Sequence, residues 1–144
     1  MFNLWFQSNH PQEVSKMKPK IISDISNIAG YFNKFPPKFE NIRIMFNTLK
    51  SKYWILGIAD WKLFNCIDFL ESYKNYIVRR IIIHAPPNIP ADILMIREAI
   101  ESDNLILTND KLREYGNLFP SESWLESHRV SFDIFDGKFI IYIP

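Results

Sequence analysis

Glycine and cysteine are both scarce in this 144-residue chain, and each scarcity excludes chemistry. Four glycines are roughly half of average usage. They fall at 30, 57, 116 and 137, so neither a Gly-x-Gly-x-x-Gly turn nor a Walker loop can be assembled. The one cysteine, Cys66, rules out an internal disulfide and a cysteine-based structural zinc site. Charge of one sign is also missing. Seventeen Lys+Arg stand against 16 Asp+Glu, a net of +1, so no global positive field draws the chain to nucleic acid or to an anionic membrane. No apolar run approaches the ~20 residues of a membrane span. Whatever chemistry exists must come from side chains, and any phosphate-binding surface must be local.

What is present suits one aromatic-rich globular domain. Residues 1–18 read as a polar, partly aromatic lead-in without the order of a signal peptide. The expectation is a soluble, cytoplasmic protein whose domain spans 19–144. From Lys20 onward strand and helix alternate. Ile21-Ile22, Tyr53 to Ala59, Arg79 to Ala85 and Leu105-Ile106-Leu107 read as strands, the third as one buried on both faces. Asn41 to Ser51, Cys66 to Tyr76 and Ala91 to Ser102 carry helical spacing. A short helix is expected around Trp124, and a hairpin over Ser131 to Tyr142 turning at Asp136-Gly137. Repeated βα units predict a three-layer α/β fold with a largely parallel sheet. Ligands of such sheets sit beyond the carboxyl ends of the strands. Here those ends carry Asp24, Asp60 and Asp110, and Asp92 starts the helix after the third strand. Gathered carboxylates repel unless a cation neutralises them, and oxygen ligands favour Mg²⁺ or Mn²⁺. A strand-end Asp is equally at home as a helix cap, so spacing alone leaves both readings open.

Four segments, in order, shift that balance. Asp24-Ile25-Ser26-Asn27-Ile28-Ala29 resembles the Asp-Gly-Ser-Asn-Val-Ala motif of NYN/PIN-like ribonucleases. Ala59-Asp60-Trp61-Lys62-Leu63, running on to Ile67-Asp68, is similar to the loop after the family's second strand. Pro90-Ala91-Asp92-Ile93-Leu94 looks like its acidic helix start, and Leu107-Thr108-Asn109-Asp110-Lys111-Leu112-Arg113-Glu114 like its Ser-Asn-Asp segment. The resemblance is greatest to the Regnase-type NYN group and its small prokaryotic relatives.

It implies a PIN-like domain and a metal-dependent endoribonuclease. Asp24, Asp92 and Asp110 would bind Mg²⁺ or Mn²⁺, which activates a water for in-line attack on RNA. Asn27 would orient a water or a carboxylate. Glu114 would supply a further acid, sharing a helix face with Asp110 at i,i+4 spacing. Lys62, Trp61 and Arg113 are the candidate contacts for single-stranded RNA, since stacking faces and cations make a strand platform. His84, at the end of the third strand, reads as a capping histidine and Cys66 as packing.

Two departures stand out. Ile93 replaces an acid, and Ile25 replaces a glycine, which predicts crowding in the first loop. The alternatives are therefore a catalytically impaired PIN-like module that binds RNA or protein, or a toxin-type PIN nuclease with a cognate antitoxin. A homodimer or another protein partner is left open.

Overall fold

The computed structural model describes residues 18–144. The lead-in expected over 1–18 lies, apart from Lys18, outside the described residues. Six strands form one sheet: β1 Lys20–Asp24, β2 Trp54–Ala59, β3 Ile82–His84, β4 Leu105–Leu107, β5 Arg129–Phe135 and β6 Lys138–Tyr142. Their order is β3-β2-β1-β4-β5-β6. β1 to β5 run parallel, and β6 returns antiparallel to β5. The helices are α1 Ile25–Ala29, α2 Phe39–Leu49, α3 Leu70–Val78, α4 Ala91–Ser102 and α5 Glu122–His128. None of these is long and apolar enough to cross a membrane.

Strand alternation sorts the core into two halves. Ile21, Ala59, Ile82 and Leu107 face α1, α2 and α3, where they meet Ile28, Ile42, Met45 and Tyr73. Ile22, Ile58 and Ile106 face the other way, onto Met95, Ile96 and Ala99 of α4. α4 ends where Asp103 takes a left-handed conformation, φ 53°, and α5 starts where the Ser121 hydroxyl accepts the Trp124 N–H at 3.1 Å. The hairpin turns where expected, with φ of 53° at Asp136 and 72° at Gly137, the paired positive values of a two-residue turn.

Three expectations are corrected. β3 is a three-residue edge strand, not one buried on both faces, and Ile83 is half exposed. The helix expected from Cys66 to Tyr76 begins later, at Leu70. A 3-10 turn, Trp61–Asn65, comes first, and Phe69 at φ 48° interrupts the chain before α3. Cys66 consequently closes that turn, where its thiol donates to the Lys62 carbonyl at 3.4 Å, and does not begin a helix. The crowding foreseen at Ile25 is also absorbed. Its side chain is fully buried and fills the space over Gly57 on β2. A Cβ at position 57 would stand 2.7 Å from Ile25 Cδ1 and 2.8 Å from Cγ1. The room a glycine would have left in the loop is supplied by a glycine on the neighbouring strand.

That packing predicts Gly57→Ala to cost about 1–3 kcal/mol by overpacking. Ile25→Val, which removes Cδ1, should recover part of the loss in the double variant. Urea unfolding of the four corners of this cycle measures it, and strict additivity would refute the contact.

Candidate metal centre

Alternation also decides where the acids point. Asp24, Asp60 and Thr108 each lie two residues beyond a strand position that faces α4, namely Ile22, Ile58 and Ile106. All three strand ends therefore aim at the α4 side. The crevice lies between β1 and β4, on either side of which the chain winds to opposite faces, the position where sheets of this order hold ligands.

Thr108 bridges that crevice. Its buried hydroxyl donates to Asp24 Oδ2 at 2.8 Å and accepts the Asp110 N–H at 3.1 Å. Asp24 Oδ1 accepts the Asn27 N–H at 3.2 Å and so caps α1. The Asn27 side-chain carbonyl accepts the Asn109 N–H at 2.9 Å. Asn109 in turn pairs its own amide with β5, taking the Phe132 N–H at 2.8 Å and giving to the Phe132 carbonyl at 3.0 Å. The segment carrying Asp110 is thus tied to β1, α1 and β5 at once.

Asp92, Asp110 and Glu114 converge. Each offers a carboxylate oxygen that lies within 4.8 Å of the others. Glu114 arrives by a different route from the one its spacing suggests. Asp110 and Glu114 do not share a helix. Asp110 Oδ1 accepts the Leu112 N–H at 2.8 Å, Leu112 turns left-handed at φ 55°, and a 3-10 turn over Arg113–Leu118 delivers Glu114. Asp24 is not one of the three that approach so closely. It is buried, 5% exposed, and feels the charge of Asp92 and, less, of Asp60. Asp60 is drawn in as well. Its Oδ1 accepts the Ala91 N–H at 3.0 Å, holding the first turn of α4, while the Ser26 hydroxyl accepts the Asp60 N–H at 2.9 Å.

The electrostatics are those of an uncompensated negative cluster. Burial raises the Asp92 carboxyl to about 6, and the charges of Asp110, Asp60 and Glu114 push the same way. Burial likewise raises Asp24 to about 7, against the lowering effect of the Thr108 hydroxyl, with Asp92 and Asp60 adding to the rise. The Tyr115 hydroxyl is raised by burial and by the same carboxylates. Among the described residues, the charges that shift Asp92 are all acids. A hard divalent cation is the group that such oxygens fit: it would neutralise the cluster and restore ionisation to Asp92 and Asp24.

The remaining candidates flank this centre. Trp61 and Lys62, both exposed, line a groove of about 320 Å³ with Asp60 and the Pro86–Pro90 loop. Arg113 and Lys111 line a second groove, of about 330 Å³, against α5. Phe32 is 75% exposed beside a third, between Asn27 and Asp133, where the Tyr31 hydroxyl donates to Asp133. His84 is held by Tyr73, hydroxyl to Nε2 at 2.6 Å, and lies edge-on to Trp61 and Phe64. Burial lowers it, which keeps it neutral. Sequence reasoning passed over Thr108, Asn109 and Tyr115. Thr108 and Asn109 stand in the Ser-Asn-Asp-like segment, and the alternation Ile106, Thr108 marks the direction in which the first of them points.

Comparison with solved structures identifies the class of fold. The chain superposes on Arabidopsis thaliana nuclear protein-only RNase P 2 (PRORP2) with a TM-score of 0.70 over 99% of its length, at 18% identity. A second structure, nuclear proteinaceous RNase P 2 (PRORP2) from A. thaliana, gives 0.71 over 95% at 20% identity. The chain spans about a third of either, 33% and 32% of their lengths. No family model and no curated protein matches it. The fold is PIN-like: a mostly parallel six-stranded sheet between helices, closed by an antiparallel hairpin.

Asp24 yields a pH prediction. Its folded value lies above its ordinary 3.8, so between about 4 and about 7 the folded protein holds a proton that the unfolded chain has lost. Stability of the metal-free protein therefore falls as pH rises through that window. Asp24→Asn removes the penalty, and the Thr108 hydroxyl can turn to Asn27 Oδ1, 3.4 Å away. In EDTA the variant should melt several degrees above wild type at about pH 8 and lose that advantage near pH 4. Thermal melts across pH check both ends.

Proposed function

We propose that this protein is a divalent-metal-dependent ribonuclease that hydrolyses RNA phosphodiester bonds at the Asp92, Asp110 and Glu114 cluster, with Mg²⁺ or Mn²⁺ as its cofactor. The observation that carries this reading is three carboxylates from two segments, the start of α4 and the loop after β4, with oxygens within 4.8 Å of one another. The PIN-like fold supports it, since the structures it matches are described as RNase P. A divalent ion held there supplies Lewis acidity toward a phosphodiester and its attacking water.

The chain's own residues do the rest. Asp24 is a positioning residue: its Oδ2 accepts the Thr108 hydroxyl, which in turn holds the Asp110 N–H. Asn27 is a positioning residue: by holding the Asn109 N–H it fixes the segment that carries Asp110. Trp61 and Lys62 offer a ring face and a charge on one side of the acids. Arg113 and Lys111 offer charge on another. Glu114 supplies the third carboxylate of the cluster, which supports an active centre. The order of the four sequence motifs supports a place beside the Regnase-type NYN group.

Labelled single-stranded RNA incubated with Mn²⁺ or Mg²⁺ should be cleaved, and EDTA should stop cleavage. Asp110→Asn should lower kcat by about 100-fold or more, since even the outer partners of metal ligands are worth 10- to 100-fold. Trp61→Ala and Lys62→Ala should act mainly on KM. Cleavage that persists in EDTA or in Asp110→Asn would refute the metal centre. RNA bound but never cut would select the binding-module reading.

A further inference from the structure

The end of the sheet opposite the acids is also built for a ligand. A groove of about 600 Å³ lies between the last turns of α2 and α3 and the first residues of β2. Its walls carry Lys18, Lys50 and Arg79, and no acid among the described residues. None of these three cations forms an ion pair with an acid among the described residues. Trp54 stands at its mouth, 62% exposed at the start of a strand whose other end is fully covered. The Lys18 ammonium lies 5.3 Å from the Trp54 ring centroid and donates to the Lys50 carbonyl at 2.9 Å. The net charge of the whole chain does not reveal this patch, because acids elsewhere balance it.

An exposed indole beside cations, with no acid among the described residues paired to them or lining the groove, has the chemistry of a single-strand subsite. A base stacks on the ring and phosphates meet the cations. We propose that this groove is a second RNA site, which holds one nucleotide of a strand with its base on Trp54 and its phosphate between Lys50 and Arg79. β2 separates it from Asp60 by about 20 Å at the strand's rise per residue. A short RNA can therefore occupy the acids without reaching Trp54, whereas a longer one engages both. The site rests on the ribonuclease reading for the identity of its strand, but its affinity needs no metal.

The test measures binding in EDTA, by fluorescence anisotropy, of the full chain to a uridine-rich RNA of about 16 nucleotides. Trp54→Ala should weaken it about fivefold or more. Lys50→Glu with Arg79→Glu should also reduce the dependence of log affinity on log salt, by about 0.7 for each phosphate that the variant leaves unneutralised. All three positions are exposed, and thermal melting confirms that the variants fold. With Mn²⁺ present, Trp54→Ala should cleave a trinucleotide as wild type does and show a raised KM only on the longer RNA. Unchanged affinity and salt dependence in both variants would overturn the proposal. So would AMP binding as tightly as the strand, which would make the groove a mononucleotide site. Wild type that binds RNA in EDTA through Trp54 yet never cleaves would refute the nuclease and leave this groove standing. Cleavage with no dependence on Trp54 would do the reverse.

Discussion

Side chains alternate along a strand, and in this protein that alternation decides where every charge at the top of the sheet must go. Ile22, Ile58 and Ile106 are committed to the α4 face by the core they share with Met95 and Ala99. Two residues on, Asp24, Asp60 and Thr108 have no choice but to follow them. A one-residue slip of β1 against β4 would turn Asp24 into the opposite core, among Ile28 and Leu107, where nothing could neutralise it. The register of three parallel strands and the composition of the site are one constraint.

From that constraint the chain of hydrogen bonds follows. Thr108 accepts the Asp110 N–H and donates to Asp24, so one hydroxyl positions an acid of the cluster and a buried acid on β1. Asn27 and Asn109 extend the tie to α1 and β5. These bonds hold the backbone; they do not relieve the charge. Asp92 remains surrounded by Asp60, Asp110 and Glu114, and raised protonation is the chain's own partial remedy. A divalent cation would relieve that charge without protonation.

Much of this was legible in the residues. Strand-end acids and the four ordered motifs pointed to Asp24, Asp92 and Asp110, and the Asp136-Gly137 turn and the span of α4 were readable from spacing. What was not legible depended on backbone states that side-chain patterns do not encode. The left-handed turn at Leu112, not helical spacing, brings Glu114 to Asp110. Phe69, also left-handed, delays α3. β3 reads as a buried strand because Ile81-Ile82-Ile83 is wholly apolar, yet its place at the sheet edge leaves Ile83 half exposed. Position 57 shows the limit in another form. The loop's missing glycine looked like a defect until its neighbour across the sheet was known, because Ile25 and Gly57 are complementary only in three dimensions.

The near-zero net charge takes on a different meaning once positions are known. Acids gather around the α4 N-terminus, while Lys18, Lys50 and Arg79 gather at the opposite end of β2. The two sites ask for different things: a cation at the acids, an anion at the groove. The central claim concerns the first. The most direct measurement is anomalous scattering from crystals grown with Mn²⁺. The account predicts a peak bonded to oxygens of Asp92, Asp110 and Glu114. Crystals that hold Mn²⁺ elsewhere, with those three carboxylates still apart from it, would contradict the account.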